Sequence, residues 1–406
     1  ARRRVLFRWR TQAREINLRG TTSASREIRV QIVAHITIAT RHMTTRSIWI
    51  RRASVFFVTY ATIGSPTKAP AGGASQPTMD GTTAVMPQSA TRHWREGWTE
   101  LEALAQKVEL SGTQELPGCT LRHEFLIPLL QKGLRSNYLL PAQYRRMMNL
   151  LRFGADLFID KEYLNDHLPS RVYRKNYPSA YENKVAVTTA IAARVTAGRT
   201  MKIGVFSRSE FANLPVSQAI IFPMGAVPKP QAKLGDTVEY RPFGDHTRSR
   251  LNEAARPGKH SLTALKELGR LLTRGKFMRM SDIDGAFTLL PLVPWLWKYM
   301  LFMWYDVDLP LEKQTEANVL YCHLFADFGT VGCPDEWFEF FNVILDLARM
   351  ENVLRSPLVL YVDDLSHIGD SDCAARLDEE GEELDAFLVA AGTPTKQKKT
   401  KNAARI

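Results

Sequence analysis

The sequence is poor in cysteine and has no long hydrophobic run. Its four cysteines are scattered and form no C-x-x-C pair, which argues against a structural zinc site and against a disulfide framework. So few cysteines are typical of reduced thiols inside a cell. No run of about eighteen apolar residues occurs, so the sequence predicts no membrane span. We therefore expect an intracellular protein of the cytoplasm or nucleus.

Acidic side chains are nearly missing from residues 1–60, which hold 13 Arg, no Lys, no Asp and two Glu. This segment supplies +11 of the net charge of +12, so the rest of the chain is almost neutral. The overall charge therefore says little about nucleic-acid binding by the rest. Three interpretations stay open: a mitochondrial transit peptide, a basic arm that binds nucleic acid, and a translated non-coding stretch. The first would make the protein mitochondrial.

The rest of the chain divides by composition and hydrophobic period. Residues 61–92 are rich in Gly, Pro, Ser, Thr and Ala and predict a flexible linker. Residues 93–180 predict a helical region. The predicted helices are 94–110, 123–133, 141–158 and 182–197. The predicted strands are 202–206, 219–227, 237–241, 277–281 and 358–362. Strands that alternate with helices indicate an α+β fold.

Two neighbouring carboxylates stand out, Asp363 and Asp364, between the apolar run 357–360 and the segment 365–369. This order predicts two strands joined by a tight turn with both acids at its tip. Adjacent residues of a regular strand point to opposite faces, so a turn is needed to bring both acids to one site. Clustered carboxylates repel each other, and a divalent cation removes that conflict. An exposed acidic turn is the alternative.

A third carboxylate, Asp282, ends the strand-like run 277–281 and precedes Ala286 and Phe287. Its position is that of a ligand at a strand end, and the alternative is a helix N-cap.

The segment 327–334 combines Gly329 and Gly332 with Pro334, before a helical run to residue 350. Glycine lets a backbone approach a ligand closely, and the following helix offers an N-terminus for a phosphate. The alternative is a plain junction between a loop and a helix.

In this order, the three segments resemble motifs A, B and C of reverse transcriptases. The pattern Asp-x-x-x-Ala-(Phe/Tyr) is met at Asp282, the loop Gly-x-x-(Gly/Ser)-x-Pro at 329–334, and the box (Phe/Tyr)-x-Asp-Asp at 361–364. Further segments at 223–229 and 240–252 resemble strands of the polymerase fingers, and 387–396 resembles motif D. The resemblance covers about residues 180–400. It is to a retroelement polymerase of the long-terminal-repeat or tyrosine-recombinase type.

This resemblance implies a right-hand polymerase fold. The fingers would span 181–276, and a palm with an antiparallel sheet backed by helices would span 277–406. The implied activity is nucleotidyl transfer by an RNA-directed DNA polymerase, which adds dNTPs to a primer on an RNA or DNA template. Two Mg²⁺ ions, or Mn²⁺ in their place, would be held by Asp282, Asp363 and Asp364.

The resemblance also implies contacts with the incoming nucleotide. Arg241 would contact the triphosphate, and Lys396 would lie near the leaving pyrophosphate as a proton donor. Phe328 and Gly329 would line the nucleotide pocket. Phe287 would crowd a ribose 2′-hydroxyl and so favour deoxynucleotides, with core packing as its alternative role.

Template and primer would be held through backbone charge. The cations expected to contribute are Arg241, Arg248, Arg250, Arg256, Lys259, Lys396, Lys398, Lys399 and Lys401, and solvated surface charge is the alternative role for them.

The sequence departs from the family in two places. The turn between the lysine and arginine of the fingers is replaced by 231–236, and no thumb segment follows motif D. We therefore expect a fragment of a longer polyprotein, with its other domains missing, or a decayed copy. Two alternatives stay open: an inactive polymerase-like protein that binds RNA or has a structural role, and an RNA-dependent RNA polymerase. Tyr361, Val362 and Phe287 argue against the second.

Overall fold

The structure is a computed structural model, which describes residues 92–112, 116–229, 238–258, 268–272, 276–370 and 374–405. It also describes the backbone of two strands nearer the N-terminus. Contacts divide the chain into two units, Ala1–Val85 and Met86–Ile406. In the first unit, β1 (Ile32–Thr37) pairs antiparallel with β2 (Arg52–Phe57). The remainder of the Arg-rich segment and the linker, up to residue 91, lies outside the described residues.

Helices open the second unit: α1 (Trp94–Ser111), α2 (His123–Arg135), α3 (Pro141–Phe153), α4 (Lys161–His167), α5 (Pro178–Glu182) and α6 (Lys184–Thr196). The helices predicted at 94–110 and 123–133 are confirmed. The prediction of 141–158 was too long, because α3 ends at Gly154, whose φ of 98° lies outside the helical region. The helix predicted at 182–197 is interrupted at Asn183.

A five-stranded mixed sheet follows, in the order β3 (Arg171–Tyr173), β5 (Ala219–Ile221), β9 (Leu301–Trp304), β10 (Val319–His323) and β4 (Thr200–Val205). The single strand predicted at 219–227 was wrong. Pro223, which has no backbone N–H, follows β5, and the chain then continues as β6 (Met224–Pro228) in another sheet. There β6 pairs antiparallel with β7 (Tyr240–Gly244), which lies later than the strand predicted at 237–241.

The second large sheet is antiparallel throughout. Its order is β11 (Leu358–Tyr361), β12 (Asp364–Gly369), β8 (Phe277–Asp282) and β13 (Lys401–Arg405). The strands predicted at 277–281 and 358–362 are confirmed. Helix α9 (Ala374–Ala391) packs on this sheet and contacts α8 (Cys333–Met350); the short α7 (Pro294–Trp297) precedes β9.

One hydrophobic cluster runs through the second unit, with large side chains such as Trp297, Trp304 and Trp337 fully buried. The chain is thus a mixed α+β protein, as predicted. In the described part of the chain, no helix combines the length and the apolar character needed to cross a bilayer.

Candidate active site

Three aspartates meet at one end of the antiparallel sheet. Asp282 is the last residue of β8 and lies directly opposite Asp364, the first residue of β12. Asp363 lies in the loop before β12, where its carbonyl oxygen accepts a hydrogen bond from the backbone N–H of Ile283 at 2.8 Å. One carboxylate oxygen from each aspartate lies within 4.8 Å of the others. The structure therefore brings these three predicted residues together.

The turn that carries Asp363 has an unusual backbone. Tyr361 and Asp364 pair across the hairpin, so Val362 and Asp363 form a two-residue loop. Val362 has a φ of 59°, and a left-handed conformation is an outlier for a β-branched residue. The buried indole of Trp337 on α8 donates a hydrogen bond to the carbonyl oxygen of Val362 at 2.6 Å. Packing on α8 therefore helps to hold a strained turn, as is common at functional sites.

Two lysines form ion pairs with the carboxylate of Asp282. The Nζ of Lys396 lies 2.7 Å from Oδ1, and the Nζ of Lys399 lies 2.7 Å from Oδ2. Burial alone raises the pKa of Asp282, but the two lysine hydrogen bonds outweigh it and hold this pKa below its usual value. The sequence suggested Lys399 only as one of many template-binding cations. Its position on Asp282 was not foreseen.

The triad still contains unrelieved repulsion. Burial, followed by the charges of Asp363 and Asp282, raises the pKa of Asp364 above its usual value. A divalent cation shared by the three carboxylates would remove this penalty, and carboxylate oxygens are the ligands that Mg²⁺ prefers. The residues present therefore fit a divalent metal, which would have to displace the two lysines from the carboxylate of Asp282.

A cleft of about 510 Å³ borders the triad at Asp363. Both lysines line it, together with Arg241 and Phe328. The guanidinium of Arg241 lies over the Phe328 ring, 5.3 Å from its centroid. Phe287 is buried, and its ring centroid lies 5.3 Å from that of Phe328. Four sequence-predicted site residues (Arg241, Phe328, Asp363 and Lys396) thus share one cleft, with Phe287 against its aromatic wall.

Gly329 has a different surrounding. It adopts a φ of +121°, and a Cβ placed there would lie 2.0 Å from the carbonyl oxygen of Gly244. The Gly329 carbonyl oxygen accepts a hydrogen bond from Nδ2 of Asn252 at 2.9 Å. This glycine therefore lets the 327–332 loop pack closely against the end of β7, and it is not among the residues that line the cleft.

Three of the other predicted template-binding cations make local contacts. Arg248 lies over the ring of Tyr177 and Arg250 pairs with Glu253. Arg256 donates to the backbone carbonyl oxygens of residues 253 and 255. Lys259 lies outside the described residues. Among the predicted cations in the described part of the chain, Lys396 and Lys399 are those that pair with a triad carboxylate.

A buried polar cluster next to the cleft escaped the sequence analysis. His246 Nε2 lies 2.9 Å from Oδ1 of Asp327, and Nη1 of Arg194 lies 3.2 Å from Nε2 of His323. The histidines and the aspartate are almost fully buried. Because the partners lie 81 and 129 residues apart in the chain, no local motif marks them. The one feature of the sequence that could have indicated this cluster is the pair of polar residues 323 and 327, which follow the apolar run 319–322.

Comparison of the sequence with protein-family models gave no match, and a search of curated proteins gave no significant one. Neither comparison identifies a family for this chain.

Proposed function

We propose that the chain is an RNA-directed DNA polymerase, which transfers dNTPs onto the 3′-hydroxyl of a primer. The observation that carries this proposal is the convergence of Asp282, Asp363 and Asp364 at one end of an antiparallel sheet, beside a cation-lined cleft. In this proposal the four-stranded sheet is a polymerase palm, and the β6–β7 pair belongs to the fingers. The order of the three sequence motifs supports the same assignment.

The triad would hold two Mg²⁺ ions. When bound, they would activate the primer hydroxyl and stabilise the charge that develops on the phosphoryl oxygens. Asp282 is the buried member, and its lowered pKa keeps it ionised and able to act as a ligand at neutral pH. Lys396 and Lys399 line the same cleft as Asp363. Once a metal ion had displaced them from Asp282, the two lysines would lie beside the substrate phosphates and neutralise their charge.

The aromatic wall supports a preference for deoxynucleotides. Phe328 is 36% exposed and offers a surface for the nucleotide, while Phe287 lies behind it and is 7% exposed. Phe287 does not line the cleft itself, so on this proposal the Phe328 ring would crowd a 2′-hydroxyl and Phe287 would support that ring from behind. Relative incorporation of dNTPs and rNTPs separates this proposal from that of an RNA-dependent RNA polymerase.

A second candidate function is nucleic-acid binding without catalysis. The observation that favours it is the pairing of both Asp282 oxygens with lysines. This pairing gives both oxygens of the carboxylate hydrogen-bond partners from the chain itself. If this second candidate function is correct, Asp363→Asn would leave the affinity for RNA unchanged.

Primer extension by the full chain tests the proposal, with an RNA template, a DNA primer, Mg²⁺ and dNTPs. Asp363→Asn is the test variant, and Asp166→Asn is the matched control, since Asp166 is an exposed residue on α4. Extension that is lost in Asp363→Asn and kept in the control is the expected result. Equal RNA binding by all three proteins, with extension by none, would replace the proposal with the second candidate.

A further inference from the structure

Arg194 on α6 lines the same cleft as Asp363 and the lysine pair. The sequence analysis did not single it out. Within the described residues its guanidinium forms no ion pair, and its hydrogen-bonding partner is His323, with Nη1 lying 3.2 Å from Nε2. A half-buried guanidinium without a carboxylate partner carries a desolvation cost that an anionic ligand would offset.

His323 fixes the position of Arg194 without cancelling its charge. Burial, reinforced by the nearby Arg194 charge, lowers the pKa of His323 to about 3, so its ring is neutral at physiological pH. A guanidinium only donates hydrogen bonds, so Nε2 accepts and the ring proton lies on Nδ1. Nδ1 then donates to Oγ1 of Thr200 at 2.7 Å. A neutral, immobilised acceptor therefore orients the guanidinium without adding an opposite charge.

The nearest acid in the cluster is already engaged. Oδ1 of Asp327 lies 2.9 Å from Nε2 of His246, while its Oδ2 lies 3.8 Å from His323. Asp327 and Arg194 attract each other electrostatically. They make no direct ion pair within the described residues. The charge of Arg194 is therefore only partly balanced by its surroundings.

Arg241 also lines the cleft, but unlike Arg194 it is exposed. Its guanidinium lies on the Phe328 ring, and within the part of the chain that the structure describes it too has no ion pair. Two guanidiniums without a carboxylate partner thus border a cavity of about 510 Å³. Guanidinium groups bind phosphate through paired hydrogen bonds, which makes arginine the residue of choice for such ligands.

We infer that Arg194 is a phosphate-binding residue of this cleft, which acts with Arg241 on the triphosphate of the incoming nucleotide. The inference rests on the proposed function for the identity of the nucleotide. The phosphate site itself rests on the guanidiniums and the cleft.

Binding of inorganic tripolyphosphate to the full chain tests the inference, measured by isothermal titration calorimetry without nucleotide or primer. Arg194→Gln keeps a hydrogen-bond donor near His323 and removes the charge, while Arg194→Lys keeps the charge. Loss of a charge-assisted hydrogen bond predicts about 10- to 100-fold weaker binding for Arg194→Gln. We expect a smaller loss for Arg194→Lys, and none for Arg152→Ala, an exposed arginine near the end of α3.

A second measurement uses the unaltered protein, so it does not depend on the folding of a variant. Phenylglyoxal modifies arginine side chains, and mass spectrometry locates the modified residues. Tripolyphosphate should protect Arg194 and Arg241 from modification and leave Arg152 unprotected. Equal modification of Arg194 with and without tripolyphosphate, or unchanged affinity in Arg194→Gln, overturns the inference even if the protein extends primers. Arg194-dependent binding by a protein that extends no primer would keep the phosphate site and reject the polymerase.

Discussion

The Nζ of Lys399 lies 2.7 Å from Oδ2 of Asp282, and Lys396 holds the other oxygen of the same carboxylate at the same distance. The side chain of Asp282 is 8% exposed and that of Lys399 is 60% exposed. The lysine can therefore leave into solvent, whereas the aspartate stays fixed at the end of its strand. Any cation that binds Asp282 competes with ammonium groups of this chain.

Removal of one competitor should strengthen metal binding. We expect Lys399→Ala to bind Mn²⁺ about two- to tenfold more tightly than the wild type, because an ion pair whose lysine is largely exposed contributes modestly. Free Mn²⁺ is measured by electron paramagnetic resonance, without nucleotide. Lys398→Ala is the matched control, since Lys398 is exposed and adjacent in sequence. Weaker binding in Lys399→Ala would mean that the lysine orients Asp282 and does not compete.

The indole of Trp337 should matter more to the site than an equivalent indole elsewhere. Trp337→Phe leaves the Val362 carbonyl oxygen without its donor and should cost about 1–3 kcal/mol of unfolding free energy. Trp297→Phe removes a similar bond, from Nε1 to the carbonyl oxygen of Leu292 at 3.1 Å. Urea denaturation should give comparable losses for both variants. Only Trp337→Phe should also weaken Mn²⁺ binding, and equal metal affinities in the two variants would exclude a positioning role.

The close approach at Gly329 should be intolerant of a methyl group. Gly329→Ala combines a positive φ with a Cβ placed 2.0 Å from the Gly244 carbonyl oxygen. We expect a loss of about 2–5 kcal/mol in unfolding free energy. Gly112→Ala is the control, because Gly112 also has a positive φ but has nothing within 4 Å of the added Cβ. Gly112→Ala should lose about 1 kcal/mol of unfolding free energy. Equal losses in the two variants would show that backbone strain alone, without the contact, sets the cost.

Glu336 should make the protein less stable as the pH rises. Burial, with the charges of Asp156 and Glu339, raises the pKa of Glu336 from 4.5 to about 7, against the opposing effect of Arg146. Between pH 4.5 and about pH 7, Glu336 holds a proton in the folded state and has released it in the unfolded state. The stabilisation that this proton gives at low pH is therefore lost as the pH rises through about 7. The full difference is about 3 kcal/mol.

Glu336→Gln should therefore flatten the decline in unfolding free energy between pH 5 and pH 8, as measured by urea denaturation. Glu162→Gln is the control, because Glu162 is an exposed glutamate on α4. Parallel pH profiles for the wild type and Glu336→Gln would contradict the assignment.

Local patterns determined several elements of this protein. The apolar period of 94–110 predicted α1, because a helix of that length needs one continuous buried stripe. The acid pair after an apolar run predicted the hairpin that carries Asp363 and Asp364. Both features depend on residues close in sequence, which is why they can be recognised without a structure. The end of α3 at Gly154 and the break at Pro223 were also local signals.

The tertiary structure alone decided the partners of these residues. Lys399 and Asp282 are 117 residues apart, and Arg194 and His323 are 129 apart. Strands β9 and β10 are buried along their whole length, so neither has the alternation that reveals a half-exposed strand. Their places in the five-stranded sheet, like the charge balance of the cleft, depend on packing between distant segments. The sequence therefore determined which carboxylates are suited to bind metal, and the fold decided which cations lie against them, because electrostatic contacts depend on distance in space.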